Sequence, residues 1–303
     1  MNTRPFSLSI IIPTKNRERC LSELLESLRR VAGSFGAIRS EIIVADNGSD
    51  DGTYNFTANL AKDFPIALRV LRVVRPGKSA AINDAVKAAD GDVYAFLDDD
   101  VIVDENWLTA VEEFFRTGAF EAGQGAIRVQ ATAENDSDLG NLVERYRTIP
   151  RLEHSRDVTS LHSLNGANFF VSRNAFERVG SFDERLGPGA SGTSEDVDFA
   201  RRLIRAGIAI GYTAKAMVYH HVDRQRLTEE YFKQIHWKQG RSRFLLRKRS
   251  AASILFNLTR VATEYALYTL LGKERRRYRS KGRIYHYLGM LDAQRRQSQV
   301  DRS

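Results

Sequence analysis

Three consecutive carboxylates, Asp98 to Asp100, directly follow the apolar run Val93–Leu97. Such a run predicts a buried parallel strand whose carboxyl end opens into a crevice at the edge of a sheet, where open α/β sheets bind ligands. Three like charges there need a compensating cation or hydrogen-bond donors, and oxygen ligands select a hard ion such as Mg²⁺ or Mn²⁺. The triplet therefore indicates either a metal–phosphate site or a solvated acidic turn that caps the next helix.

A second acidic group, Glu195 and Asp196, follows the glycine-rich segment 187–192 and is expected in the first turn of a helix. Acids at a helix start are typical of capping, because they face the positive end of the helix dipole. A helix start also fixes a carboxylate in place, so the same residues suit a catalytic base. Capping and catalysis are compatible here.

Further polar residues follow other predicted strands. Asp46 ends the apolar run 41–45, and Pro13 to Asn16 follow the first run, 8–12, so both should meet the aspartate triplet at one rim. His220 and His221 end a short strand, 216–219, and one of them could complete a metal site or serve only the structure. Lys78, with Arg75 or Arg17, could assist in holding phosphates.

The elements that position these residues alternate between strands and helices over the first hundred residues. Apolar runs at 8–12, 41–45, 68–74 and 93–97 are separated by helical patterns, which predicts βαβ units and a mostly parallel sheet. Further strands are expected at 123–130 and 168–172, separated by a polar stretch from 131 to 162. From Thr228 onward the chain is expected to be mostly helical.

Composition limits the class of protein. The 303 residues, 42% hydrophobic and 28% charged, are ordinary for a globular chain. Cys20 is the single cysteine, which rules out an internal disulfide, and the N-terminal apolar run is too short for a signal peptide. The first strand is followed by neither Gly-x-Gly-x-x-Gly nor a Walker loop, which disfavours simple dinucleotide dehydrogenases and P-loop enzymes.

The net charge of +8 is concentrated in one segment. Residues 241–283 contain 13 Lys or Arg and two acids, so the rest of the chain carries about −3. Within it, the apolar-leaning stretch 253–272 contains Arg260 and Glu264, which disfavours a spanning helix. The segment is expected either to bind anionic lipid headgroups or to pack as an amphipathic helix on the chain or in a dimer.

The residues together resemble the family 2 glycosyltransferases of GT-A fold, over about residues 7 to 240. Seven motifs carry the resemblance in the family's order: SIIIPTKN (9–16), EIIVADNGS (41–49), GKSAAIN (77–83), AFLDDD (95–100), GAN (166–168), VGSFDE (179–184) and EDVD (195–198). The resemblance implies an α/β fold, Rossmann-like with flanking helices, followed by a helical basic C-terminal segment. The expected domains are a catalytic domain, 1–225, with nucleotide-binding (1–100) and acceptor (101–225) halves, and a helical region, 226–303.

The resemblance also implies roles for single residues. Asp196 would be the catalytic base, and Asp100 with His220 would bind Mn²⁺ or Mg²⁺. The residues expected at the nucleotide are Pro13, Thr14, Asn16, Asp46, Lys78, Asp98 and Asp99. Those expected at the sugar and acceptor are Gly166, Ala167, Asn168 and Glu195. Because it stands at a helix start, Asp196 is expected to have a lowered pKa.

The implied reaction is inverting transfer of one sugar from a nucleotide-diphosphate sugar, UDP-sugar favoured, to a saccharide or lipid-linked acceptor in cell-surface polysaccharide or glycolipid assembly. Processive members carry Gln-x-x-Arg-Trp, whereas the nearest match here, Gln234 to Trp237, is one residue short and lacks the Arg. The expected location is the cytoplasm or the inner face of the membrane. The alternatives are a nucleotidyltransferase, and a nucleic-acid- or membrane-binding module with an inactive transferase-like domain; no nucleic-acid partner is expected.

Overall fold

The computed structural model describes residues 7–33, 39–130, 136–157 and 160–300. Within these ranges one eight-stranded sheet runs in the order β3-β2-β1-β4-β7-β6-β8-β5. Its strands are β1 (Leu8–Thr14), β2 (Ser40–Asp46), β3 (Ala67–Arg72), β4 (Val93–Leu97), β5 (Val101–Val103), β6 (Ala122–Val129), β7 (Asn168–Ser172) and β8 (Ile210–His220).

The predicted alternation of strands and helices is confirmed. The helices that flank the sheet are α1 (Glu18–Val31), α2 (Thr53–Leu60), α3 (Lys78–Ala88), α4 (Trp107–Arg116), α6 (Arg173–Val179) and α7 (Glu195–Arg205). The remaining helices are α5 (Ser137–Tyr146), α8 (Glu229–Leu246), α9 (Ala251–Leu270) and α10 (Glu274–Val300). The expected helical C-terminal segment is therefore present.

Successive side chains of a strand point to opposite faces of the sheet, so neighbouring residues enter different core clusters. Ile10 and Ile12 of β1 enter the core cluster that contains the leucines of α1, whereas Ile11 enters the cluster that contains the apolar residues of α3 and α7. On β4, Tyr94 and Phe96 belong to that second cluster. Layers on both faces bury the central strands completely, which explains why their sequences are continuous apolar runs.

The first four strands pair in parallel, but the second half of the sheet is mixed. β4 pairs antiparallel with β7, β7 antiparallel with β6, β6 parallel with β8, and β8 antiparallel with β5. β8 is longer than the strand expected at 216–219, and a register shift at Gly125 and Ala126 accommodates it. The stretch from 131 to 162, expected to be polar and irregular, contains α5, whose start is capped by the Asp136 carboxylate.

The described residues form two compact units that interleave along the chain. The first comprises Met1–Gln130, Pro150–Glu184 and Glu195–His221, and it contains the sheet. The second comprises Ala131–Ile149, Arg185–Ser194 and Val222–Ser303. The division into domains at residue 225 stays a prediction.

Glycines bring α8 and α10 of the second unit unusually close. A Cβ atom on Gly240 would lie 1.9 Å from the carbonyl oxygen of His286, and one on Gly289 would lie 2.1 Å from that of Trp237. Only a residue without a side chain leaves room for these backbone approaches. No helix in the described ranges is long and apolar enough to cross a membrane.

Candidate active site

The aspartate triplet lies where β4 ends, and each of its side chains has a different partner. Asp98 forms an ion pair with Lys78, the first residue of α3. Asp99 accepts a hydrogen bond of 2.7 Å from the Thr14 hydroxyl at the end of β1. Asp100 is buried and lies 3.3 Å from a guanidinium nitrogen of Arg17. The three neighbouring acids therefore contact three different parts of the site: a lysine, a hydroxyl group and an arginine.

One histidine nitrogen faces Asp100 across a buried gap. The Nδ1 atom of His220 donates to the carbonyl oxygen of His221 at 2.8 Å, so in the neutral ring Nε2 is the nitrogen that can bind a metal. Nε2 is buried, lies 3.2 Å from Asp100 Oδ1, and has no hydrogen-bond partner among the residues described. An imidazole nitrogen and a carboxylate oxygen at this separation are a pair of donor atoms that suits a bound divalent cation.

Strand pairing places these two residues together. His220 pairs with Val101 in the antiparallel β5–β8 ladder, and the amide of His221 donates to the Asp100 carbonyl oxygen at 2.8 Å. His221 instead directs its ring toward Gln130, at 3.3 Å. No group of three or more His, Cys, Asp or Glu side chains converges on a metal position within the described ranges. The pair suits Mn²⁺ or Mg²⁺, and the remaining ligands of such an ion would have to come from water and a substrate phosphate, as is common for Mg²⁺.

A second cluster surrounds the Lys78 ammonium, which contacts Asp98 and lies 3.3 Å from Glu195 Oε1. Burial alone would lower the pKa of Lys78, but the charges of Asp98, Glu195 and Asp196 outweigh it and raise the pKa. A Cβ atom on Gly166 would lie 2.9 Å from the ammonium nitrogen. Lys78 is therefore a permanently charged cation held beside three carboxylates.

Asp196 lies in the first turn of α7, as predicted, and its two oxygens are both oriented by amides. Gly166 donates to Oδ2 at 3.0 Å and Val197 donates to Oδ1 at 2.7 Å. The expectation of a lowered pKa is wrong. Burial and the charge of Glu195 raise the pKa of Asp196 to about 7, although Lys78 and the two amides act against the shift. Desolvation dominates because the carboxylate lies inside the cluster, not at a solvated helix end.

The residues predicted to contact the nucleotide form a connected rim at the ends of β1 and β2. Thr14 pairs with Asp46 in the parallel ladder. The amide of Asn16 donates to the Ser49 hydroxyl at 2.9 Å, and that hydroxyl in turn donates to Asp46. Pro13 and Asp46 are buried, whereas Asn16 is exposed. Asn16 has a φ of 53°, a left-handed conformation that asparagine tolerates better than most residues.

The structure does not bring every predicted residue to the cluster. The Asn168 side chain is fully buried: it donates to the carbonyl oxygens of Ala126 and Ala216 and accepts from the Trp107 indole. Ala167 is also fully buried. Neither side chain is accessible, so only the backbone of these two residues could line a sugar and acceptor pocket, and their assignment to it stays a prediction. Arg75, considered as a phosphate ligand, forms ion pairs with Asp84 and Glu184.

Sequence reasoning missed Gln124, which supports the loop that carries Gly166. Its carbonyl oxygen accepts from the Asn165 amide at 2.7 Å, and its NH₂ group donates to the Asn168 carbonyl oxygen at 2.6 Å. Gln124 is fully buried in β6. The available signal was a polar side chain inside a strand flanked by Gly123 and Gly125.

The order of these elements agrees with a known family, because the sequence model of glycosyl transferase family 2 matches residues 9–180. The chain belongs to this family. A related model, glycosyl transferase family group 2, matches residues 95–275. The family assignment made from the seven motifs is thereby confirmed.

Individual relatives within the family are distant. The chain is 27% identical over 216 residues to glycosyltransferase AglE of Haloferax volcanii, which covers 70% of this chain and 65% of that protein. It is 27% identical over 202 residues to a beta-monoglucosyldiacylglycerol synthase of Trichormus variabilis, covering 66% of this chain and 41% of that protein. The chain therefore spans less than two thirds of the length of either relative.

The fold is similar to that of a mannosyltransferase from Pyrobaculum calidifontis, PcManGT, solved in complex with GDP-Man and Mn²⁺. The TM-score is 0.65 at 16% identity, and the match covers 96% of this chain and 88% of that one. The GT-A fold of the family 2 chain, expected from its motifs, is confirmed.

Proposed function

We propose that the chain is a metal-dependent, inverting glycosyltransferase that transfers one sugar from a nucleotide-diphosphate sugar, UDP-sugar favoured, to an acceptor hydroxyl. The acceptor would be a saccharide or a lipid-linked saccharide in cell-surface polysaccharide or glycolipid assembly. The observation that carries the proposal is the ion-pair cluster around Lys78, which contacts Asp98 and Glu195 next to Asp196. Asp100, which belongs to the same triplet as Asp98, faces His220. The departing diphosphate would thus meet positive charge, and the acceptor hydroxyl would meet a base.

At the donor, Asp100 and His220 would hold Mn²⁺ or Mg²⁺, which supplies positive charge to the departing diphosphate. Lys78 adds a fixed ammonium that needs no rearrangement as negative charge develops on the leaving group. The rim at the ends of β1 and β2 would hold the nucleoside, through the Thr14 hydroxyl and the Asp46 carboxylate. Similarity to PcManGT, named with GDP-Man and Mn²⁺, supports a nucleotide sugar and a divalent metal.

At the acceptor, Asp196 would act as general base. Its carboxylate takes the proton from an acceptor hydroxyl while that oxygen forms a bond to the anomeric carbon and the bond to the diphosphate oxygen breaks. Attack from the face opposite the leaving group inverts the anomeric configuration. The raised pKa of Asp196, about 7, makes it a stronger base than an ordinary aspartate.

The direct test is a screen of nucleotide sugars for thermal stabilisation and for release of the nucleoside diphosphate, with Mn²⁺ or Mg²⁺ present. One donor should stabilise the protein and be hydrolysed slowly, and EDTA should abolish both effects. Unchanged turnover in EDTA would exclude the metal assignment. No effect of any nucleotide sugar would refute the proposed activity.

We further propose that α9 attaches the chain to an anionic membrane surface. Helix α9 exposes four large apolar side chains, which are between 49% and 86% exposed: Leu255, Phe256, Leu267 and Leu270. Phe256, Leu267 and Leu270 lie on one side of the helix. Exposed cations precede the helix at Arg247 and Lys248 and follow it at 275–276. An apolar stripe between basic flanks suits insertion at an anionic headgroup layer.

Co-sedimentation with phosphatidylcholine vesicles, with and without phosphatidylglycerol, tests the attachment. Binding should require the anionic lipid at low salt, and Phe256→Ser with Leu270→Ser should weaken it at least about tenfold, because two large apolar side chains lose their burial in lipid. The control is Ile204→Ser, which removes a 40% exposed apolar side chain elsewhere. Equal loss in the control, or no binding to anionic vesicles, would contradict the proposal.

A further inference from the structure

A large cavity lies within the second unit, outside the residues assigned to transfer. Its volume is about 860 Å³, within the range of sites that hold small organic ligands. Three elements line it: the C-terminal end of α5, one side of α8 and one side of α10. Its arginines are Arg145, Arg147, Arg275, Arg276, Arg279 and Arg283.

The sequence places these side chains by helical periodicity. On α10 the lining positions 275, 279, 282 and 286 recur at spacings of three and four, which keeps them on one side of the helix. From 275 to 287 this wall is about 18 Å long, at the rise of an α-helix. On α8 the lining residues Phe232, His236 and Gln239 show the same spacing. Two stripes on neighbouring, closely packed helices therefore line the cavity.

The cavity carries more positive charge than neighbouring acids neutralise. Glu274 lies 2.9 Å from Arg145, and Glu264 lies 2.8 Å from Arg283. Among the residues described, no carboxylate forms an ion pair with the other four arginines of the cavity, and no acid is part of its lining. About four positive charges thus remain uncompensated around one concave surface.

The two histidines of the cavity add no positive charge to it. Burial and the charges of Arg249 and Arg283 lower the pKa of His286, and burial together with His286 lowers that of His236 to about 4. Both rings are therefore neutral at pH 7, and the charge of the cavity comes from its arginines. The Nδ1 atom of His236 is buried and has no hydrogen-bond partner in the described part of the chain.

Aromatic rings supply an apolar part beside the charges. Tyr146 and Tyr278 stand edge to face, with ring centroids 5.7 Å apart, and Phe232 packs against both at 5.9 Å and 5.8 Å. Tyr287 also lines the cavity. Guanidinium groups with several donors match phosphate oxygens, and rings match the organic group that a phosphate carries.

We infer that this cavity binds the phosphate or diphosphate group of a second ligand, whose organic part packs on the rings. Both a free polyphosphate and the headgroup of a lipid diphosphate present this chemistry. The site shares no residue with the proposed donor site, because all of its lining residues belong to the second unit and none belongs to the sheet. It requires no metal among its ligands.

Calorimetric titration with pyrophosphate in EDTA tests the inference on the full chain. The double variant Arg275→Ala and Arg279→Ala removes two exposed cations that have no ion-pair partner among the described residues. It should lower the affinity for pyrophosphate at least about tenfold, because charge-assisted hydrogen bonds are lost. The matched control is Lys233→Ala with Arg295→Ala, which removes two exposed cations from α8 and α10 outside the cavity. The affinity of this control variant for pyrophosphate should stay within about twofold of that of the unmodified chain.

Equal weakening in both double variants would overturn the inference, since it would indicate nonspecific attraction to a basic protein. Pyrophosphate binding that occurs only with Mn²⁺ would also overturn it, since that behaviour belongs to the donor site. Geranyl diphosphate distinguishes the two sources of phosphate. Binding at least about tenfold tighter than pyrophosphate, lost in the Arg275/Arg279 variant, supports a lipid diphosphate through burial of its apolar chain. Equal affinities for the two probes support a soluble polyphosphate.

Discussion

Replacing Asp196 by asparagine removes the proposed base while keeping the size of the side chain. General-base catalysis typically contributes a factor of about 10²–10⁴, so kcat should fall at least that much. Donor affinity should change only a few fold, because the Asp100–His220 pair and Lys78 remain in place. In the original chain, kcat/KM should rise with pH and reach half its maximum near pH 7, where the carboxyl group loses its proton.

The same carboxyl group links folding to pH. Its pKa rises from 3.8 to about 7 on folding, because burial and the charge of Glu195 disfavour the anion. The neutral form therefore contributes stability below about pH 4, and this contribution is lost as the pH rises through about 7, with an upper limit of about 4 kcal/mol. The pKa of about 7 already includes the opposing effect of Lys78, whose ammonium favours the anion.

Asparagine stays neutral at every pH, so the variant lacks this loss. Relative to the original chain, its free energy of unfolding should increase by about 1–3 kcal/mol between about pH 5 and pH 8. Denaturant titrations at the two pH values measure the change. Activity and relative stability should thus respond in opposite directions to one substitution.

Asp198→Asn is the matched control. Asp198 lies on the same helix, and its carboxylate forms an ion pair of 2.9 Å with Arg202. This variant should keep kcat within about an order of magnitude and show no comparable gain in relative stability at high pH. The reasoning is refuted if Asp196→Asn retains activity, or if its relative stability is the same at both pH values. Loss of donor binding would move Asp196 into the nucleotide site.

Three further outcomes are expected. His220→Ala should lower the affinity for Mn²⁺ more than about tenfold in a titration of metal-dependent activity, whereas His221→Ala should leave that affinity almost unchanged. A larger loss of affinity in His221→Ala than in His220→Ala would exclude the ligand assignment. Gly166→Ala should lower kcat/KM about tenfold or more with little change in melting temperature, because its Cβ would lie 2.9 Å from the lysine ammonium and displace it. Gly240→Ala should destabilise the fold by about 1–3 kcal/mol, because its Cβ would lie 1.9 Å from a carbonyl oxygen of α10. Gly33→Ala is the control for that change, since nothing lies within 4 Å of its Cβ position, and equal melting temperatures for the two variants would contradict the close helix contact.

The local pattern of the chain predicted the first half of the sheet well. Completely buried parallel strands are continuous apolar runs, so β1, β2 and β4 were placed to within two residues of their observed ends. The acids that follow them were placed at one rim for the same reason. The helix start at Glu195 was equally visible, because a glycine-rich segment and clustered acids precede an apolar helical pattern.

The second half was less predictable because its pairing is nonlocal. β5 has three residues, too few to show a periodic pattern, and it is held by β8 more than a hundred residues away. Asn168 matched the motif expected at the acceptor, yet its side chain bonds to two carbonyl oxygens in the core. A motif specifies a residue type, whereas its exposure depends on the strands that pack around it.

The sequence by itself determined the family, the order of the strands that carry the acids, and the presence of Asp196 at the start of a helix. Only the tertiary structure decided which histidine faces Asp100, since the β5–β8 ladder brings His220 and not His221 to that carboxylate. It also decided the pKa of Asp196. A helix start favours the anion, but burial inside the cluster and the charge of Glu195 oppose it, and desolvation is the largest effect.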